Sequence, residues 1–260
     1  MSTPAYEVYA IKYAHHERTA SQNFLGGDPH DGPMPMDYFV WLVRGAGVDL
    51  VVDTGFNAAA AARRQRQLLR PVDAALALVG VDAAKVRDVI VTHLHYDHVG
   101  NFDLFPQATF HLQDLEMQFA TGRFMCHEPM RHAFDVENVV GMVRNVYAGR
   151  VRFHAGDAQL LPGISVHLIG GHTMGLQVVR VATRRGHVVL ASDASHYYAN
   201  MGEARPFPIV YNVGDMIEGW GKLRLLADSP AHIVPGHDPL VLERYPAPRE
   251  ELAGIVARLD

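Results

Sequence analysis

The chain has one cysteine, Cys126, in 260 residues. That excludes a disulfide framework and any multi-cysteine metal site built from these residues. Lysine is scarce, occurring only at positions 12, 85 and 222, so arginine carries most of the positive charge; we read this as codon bias rather than function. No stretch approaches the ~18 apolar residues a membrane span needs. Residues Met1 to Ser21 carry charges and no apolar core of a signal peptide. Repeats, low-complexity tracts and linkers are also missing. Residues 1–260 therefore read as one domain, expected to be soluble and cytoplasmic. A net charge of −5 with histidine neutral argues against DNA, RNA or an acidic membrane surface as partner. Hydrophobic content of 48% beside 20% charged residues is enough for a sizeable core.

Apolar runs and turn residues set the elements. Tyr6–Tyr13 reads as a strand, and residues 14–37, rich in glycine and proline, as a long loop of the kind that often carries function. Tyr38–Arg44 and Val48–Asp53 form a hairpin around Gly45-Ala46-Gly47. Alanine content makes Ala58–Leu69 a helix, followed by helical Val72–Leu78 and a short helix at Asp82–Arg87. Further strands are expected at Val89–Val91, Ala108–Leu112, Val151–His154, Ile164–Leu168, Gln177–Ala182, His187–Ala191 and Ile233-Val234. Helices are expected at Asp114–Ala120, Val136–Val146, Gly214–Ala227 and, at the tail, Arg249–Leu259. Strands and helices alternate in this order in each half. That fits an α/β fold of two packed sheets with helices outside, a four-layered αββα sandwich.

What the chain has in abundance is histidine, 16 in all, and three of them stand in His93-Leu94-His95-Tyr96-Asp97-His98, just after the apolar run Val89-Ile90-Val91. Side chains alternate along extended backbone, so His93 and His95 project to the same side. Asp97 and His98 follow in the turn and aim at a second point. Two ligand pairs at neighbouring points suggest two metal ions. Three more strand ends carry ligand-type residues: His172 in Gly170-Gly171-His172-Thr173, Asp193 in Ser192-Asp193-Ala194-Ser195, and His237 in Pro235-Gly236-His237-Asp238. Any one of these alone is best explained as a turn residue bonded to backbone. Four strand ends together are better explained as one site.

The His-x-His-x-Asp-His motif, the Gly-His-Thr, the Ser-Asp and the Pro-Gly-His, in this order, resemble the metallo-β-lactamase superfamily. The resemblance runs from the Asp53-Thr54-Gly55 turn to His237. It implies one metal held by His93, His95 and His172, a second held by Asp97, His98 and His237, and Asp193 bridging them. Imidazole and carboxylate suit two Zn2+ ions, with manganese, iron or cobalt compatible by ligand type. Intervals of 74, 21 and 44 residues from His98 to His172, to Asp193 and to His237 resemble the N-acyl homoserine lactonases, the quorum-quenching lactone hydrolases. That family carries a substrate-contacting tyrosine three residues after the bridging aspartate. Here the position is His196, followed by Tyr197 and Tyr198.

The resemblance implies a hydrolase that opens a lactone, an N-acyl homoserine lactone or a related one, through a metal-bridging hydroxide. His196 or Tyr197 would assist at the carbonyl, and Asp97 would move a proton to the leaving alkoxide. Phe24, Met34, Met36, Tyr38 and residues 124–134 would line an acyl or ring pocket. Residues 14–37 mediate dimerisation in relatives, which leaves a homodimer open. The alternatives on the same fold are hydrolysis of another cyclic ester or amide, a thioesterase, and a mononuclear iron oxygenase.

Overall fold

Alternation along the first strand sends Val8 and Ala10 to one face and Tyr9, Ile11 and Tyr13 to the other, and all five are buried. The neighbouring strand repeats the pattern, with Phe39, Trp41 and Val43 on one face and Tyr38, Val40 and Leu42 on the other. A sheet buried on both faces needs a layer on each side. The structure, a computed structural model, describes residues 4–260 and supplies both layers.

Strands β1 (Glu7–His16), β2 (Met36–Gly45) and β3 (Val48–Val52) form a meander, followed by α1 (Ala58–Arg64), β4 (Gln67–Leu68), α2 (Val72–Ala77), β5 (Asp88–Ile90), α3 (Tyr96–Val99), β6 (Thr109–Gln113), α4 (Asp114–Ala120), α5 (Glu128–Arg131), α6 (Val136–Tyr147) and β7 (Val151–His154). Then come β8 (Ala158–Leu161), β9 (Ile164–Leu168), β10 (Gln177–Thr183), β11 (Gly186–Ser192), α7 (Tyr198–Gly202), α8 (Val213–Leu226), β12 (Ile233–Pro235), α9 (Leu240–Arg244) and β13 (Val256–Arg258). The larger sheet has the order β13-β1-β2-β3-β5-β6-β7, with β4 also paired to β1; the smaller has the order β12-β11-β10-β9-β8.

The two sheets meet through Val8, Trp41 and Val52 of one against Val166, Val179 and Leu190 of the other. The far face of the larger sheet is covered by α1, α2, α4 and α6, through residues such as Ala61, Leu76, Phe119 and Met142. Met216, Trp220 and Leu223 of α8 cover Val178, Val189 and Ala191 of the smaller sheet. Helix, sheet, sheet, helix is the expected αββα order.

Two expectations fail locally. The tail is not a helix: a 3-10 turn at Glu250–Leu252 leads into β13, which pairs antiparallel with β1, Ala257 opposite Ala10. Val256, Ala257 and Leu259 are buried there, so docking on a sheet edge overrides local helical preference. The helix from Ala58 stops at Arg64, because Gln65 turns left-handed (φ 56°) and Gln67–Leu68 pairs with β1. Strand β8, at a stretch where the sequence pattern marks no element, pairs with β9. The 45–47 hairpin and the β10–β11 hairpin form where the turn residues place them.

Candidate metal centre

Direction of the strands gathers the site. β9 and β11 both run antiparallel to β10, and β12 runs parallel to β11. The three share one direction, so His172, Asp193 and His237, which follow them, emerge at one edge. β5 delivers His93 and His95 there from the other sheet, and the short α3 carries Asp97 and His98. Asp97 alone of these seven is not fully buried.

The donors fall into two groups around one carboxylate. His93 Nε2 lies 3.1 Å from His95 Nδ1, which lies 2.9 Å from His172 Nε2. Asp193 Oδ2 faces this group, 3.1 Å from His172 Nε2 and 3.7 Å from His93 Nε2. Asp193 Oδ1 faces the other, 3.0 Å from His237 Nε2 and 3.5 Å from His98 Nε2. Asp97 Oδ2 completes that second group, 3.8 Å from His98 Nε2 and 3.9 Å from His237 Nε2.

This donor set fits metal ions. A tetrahedral ion with ~2.0–2.1 Å bonds sets its donors about 3.3 Å apart, close to these separations. His98 Nε2 is buried without a hydrogen-bond partner among the described residues, and Asp193 Oδ1 has only the approach of His237 Nε2, an expensive state that a cation relieves. Imidazole lone pairs facing one another at about 3 Å need a shared cation or proton between them.

Neighbours aim each ring. His172 Nδ1 bonds the Ile209 carbonyl at 2.7 Å and His237 Nδ1 the Asp37 carbonyl at 2.9 Å, leaving both Nε2 atoms turned inward. His98 Nδ1 meets Asp53 Oδ2 at 2.7 Å. Asp53 also accepts from Thr92 N and Thr92 Oγ1, at 2.7 and 2.8 Å, and so fixes the start of the histidine loop. Buried Glu116 clamps two loops together, accepting from Leu94 N at 2.8 Å, Thr173 Oγ1 at 2.6 Å and Gly175 N at 3.1 Å. Two glycines permit these approaches. A Cβ on Gly175 would fall 2.1 Å from Glu116 N, and one on Gly236 would fall 2.8 Å from Asp193 Oδ1.

Electrostatics separates the two groups. Burial, with neighbouring imidazoles, holds His93 and His95 well below the usual histidine range, so both are neutral. Burial also opposes charge on His98 and His237. There the facing carboxylates outweigh it, and both pKa values are raised, His98 well above the ordinary value. Burial alone would raise Asp193, but the imidazoles of His196, His237, His98 and His172 hold it well below the carboxylate range.

His196 joins the cluster, with Nε2 3.0 Å from Asp193 Oδ2 and its ring stacked on Phe207 at 3.7 Å between centroids. Burial pushes its pKa down to about 3, against the opposing pull of Asp193. Tyr197 does not join it. Its buried hydroxyl donates to the Pro35 carbonyl at 3.3 Å, under the 17–35 loop. The strand end turns after Asp193, so consecutive side chains diverge and only His196 reaches the site. Met36 and Tyr38 line the cavity over the donors, whereas Phe24 is buried beneath the Arg205 guanidinium, away from it. Sequence reasoning missed Asp53 as a partner of His98, Glu116 as a clamp, and Arg18, Arg64 and Arg66 in the cavity wall. The Asp53-Thr54-Gly55 turn was the one visible signal for the first.

The sequence matches the metallo-beta-lactamase superfamily over residues 34–237. With the two-sheet fold and this donor cluster, the chain belongs to that superfamily. Within it, the chain is 30% identical over 166 residues to the N-acyl homoserine lactonase AttM of Azorhizobium caulinodans, covering 62% of this chain and 61% of that protein. It is 31% identical over 165 residues to the AttM of Rhizobium johnstonii, with the same coverage. The match thus spans less than two thirds of those relatives' length. A solved quorum-quenching N-acyl homoserine lactone lactonase superposes with a TM-score of 0.75 at 21% identity, over 91% of this chain and 93% of that one, which establishes the shared fold.

Proposed function

We propose that this chain, read as one domain, is a dimetal hydrolase that opens a lactone ring, an N-acyl homoserine lactone or a related lactone. The observation that carries the reading is the single carboxylate of Asp193, with one oxygen toward each donor group. His93, His95 and His172 would hold one ion, Asp97, His98 and His237 the other, and Asp193 both. Similarity to the AttM lactonases supports the substrate class. Two zinc-like ions held there would polarise an ester carbonyl and make hydroxide available near neutral pH.

In the reaction, water oxygen bonds the carbonyl carbon and the acyl–oxygen bond of the ring breaks. One proton reaches the released alkoxide and one is left to solvent, giving a hydroxy carboxylate. His196 lines the cavity, and the Nε2 N–H that lies against Asp193 Oδ2 would turn to the ester oxygen as charge develops there. Asp97, the more exposed carboxylate, is placed to pass the proton to the alkoxide. Met36, Tyr38 and Phe207 shape the wall that positions the ring and excludes water. A cytoplasmic location fits this reading; among the described residues no helix is long and apolar enough to cross a membrane.

Metal analysis of purified protein tests the assignment. The expected content is two ions per chain in the parent and a loss of at least one in Asp193→Ala, with turnover abolished. An Asp193→Ala protein that kept two ions and full turnover would end this scheme.

A further inference from the structure

Three arginines line the cavity over the donor cluster: Arg18 from the loop after β1, Arg64 at the end of α1, and Arg66 in the turn that follows it. Elsewhere, arginines such as Arg44, Arg63, Arg205 and Arg258 pair with carboxylates. Among the described residues, none of the three in the cavity does. Neutral groups hold them instead. Arg18 donates to Asn23 Oδ1 at 2.6 Å and to the Gln22 carbonyl, with its guanidinium 5.2 Å from the Phe207 ring centre. Arg64 lies 3.9 Å over the Tyr96 ring and donates to the carbonyls of His132 and Phe134. Arg66 Nε donates to the Tyr96 hydroxyl at 3.2 Å, and its Nη1 sits 3.1 Å from His16 Nε2 and donates to the Arg64 carbonyl. Among the described residues, Arg18 Nη1, Arg64 Nε and Arg66 Nη2 have no hydrogen-bond partner.

Three fixed positive charges around a small cavity are unfavourable unless something negative enters. Of the carboxylates in the same cavity, Asp97 attracts Arg66 without forming a salt bridge to it, and both Asp97 and Asp193 face the histidine donors. The cavity volume is about 240 Å3, below the ~300–1,000 Å3 of pockets for drug-sized ligands, so a long acyl chain is not enclosed. Guanidinium groups match carboxylate geometry in a fork of paired N–H donors.

Resting on the hydrolase reading above, we propose that Arg18, Arg64 and Arg66 form an anion subsite and that the preferred substrate is a small lactone bearing a carboxylate apart from the scissile ester. The subsite sets specificity through binding and takes no part in bond breaking. A neutral, long-chain acyl lactone would leave the arginines without an anionic partner.

The test is a matched pair, γ-carboxy-γ-butyrolactone and its neutral carboxamide, with metal-loaded protein. The carboxylate is expected to lead in kcat/KM by about tenfold or more, consistent with a charged hydrogen bond. That ratio should fall about tenfold in Arg18→Gln and Arg66→Gln, mainly through KM, and shrink at high salt. A parent ratio of one or below overturns the subsite while leaving lactone hydrolysis intact. If neither lactone is opened, calorimetric binding of the ring-opened hydroxy diacid against its monoamide decides. Tighter diacid binding that is lost in Arg66→Gln upholds the subsite and places the failure with the lactonase reading; equal binding overturns the subsite.

Discussion

Asp53 never reaches the donor cluster, yet its carboxylate at 2.7 Å from His98 Nδ1 decides which way that ring faces. Partners of metal-binding histidines raise ligand basicity and fix the tautomer, and their loss typically costs 10–100-fold in affinity. Asp53→Asn is therefore expected to weaken the Asp97/His98/His237 site by about that factor and spare the other, read by competition with a chromophoric chelator. The clustering of the seven proposed ligands was legible in the sequence because they follow strand ends and are chemically distinctive. Asp53, Glu116 and the three arginines were not. Asp53 and Glu116 are separated from the residues they hold by 22 to 59 positions, and an acidic or basic residue alone carries no mark of its partner. Tyr197 was misjudged because the direction of a side chain after a strand depends on the turn.

At the scale of elements, the site depends on loops held from behind. Glu116, at the start of α4, satisfies Leu94 N from the histidine loop and Thr173 and Gly175 from the His172 loop. Glu116→Ala leaves buried donors unpaired at about 1–3 kcal/mol. The expected result is a lower Tm and a larger fractional loss of metal than of stability. Trp220 does the same for the other side, packing α8 on the smaller sheet while its Nε1 donates to the Ala194 carbonyl at 2.7 Å. Trp220→Ala is expected to cost ~3–5 kcal/mol in chemical denaturation. The sheets and their hairpins were legible because alternation and glycine turns are local signals. The β13 strand was not, since its pairing with β1 joins opposite ends of the chain.

For the whole molecule, protonation and metal loading are linked. Raised pKa values keep His98 and His237 protonated until the pH climbs past them, so protons compete with an ion at that site and the competition fades as pH rises. His93 and His95 are lowered, so neither ring has a proton to release near neutrality. Calorimetry in buffers of differing ionisation enthalpy is expected to show more proton release on filling the Asp97/His98/His237 site than on filling the other, and acidification should strip that site first. Chelation of both ions should lower Tm, because ions that bind only the folded chain stabilise it. The proposed reaction is measured most directly as acid release, at constant pH, by the metal-loaded protein across homoserine lactones, simple and carboxylated γ-lactones, aromatic lactones and thioesters. Metal-dependent ring opening of lactones, abolished by chelation and restored by zinc, is the expected result. Silence of the fully loaded protein on every lactone would rule lactone hydrolysis out.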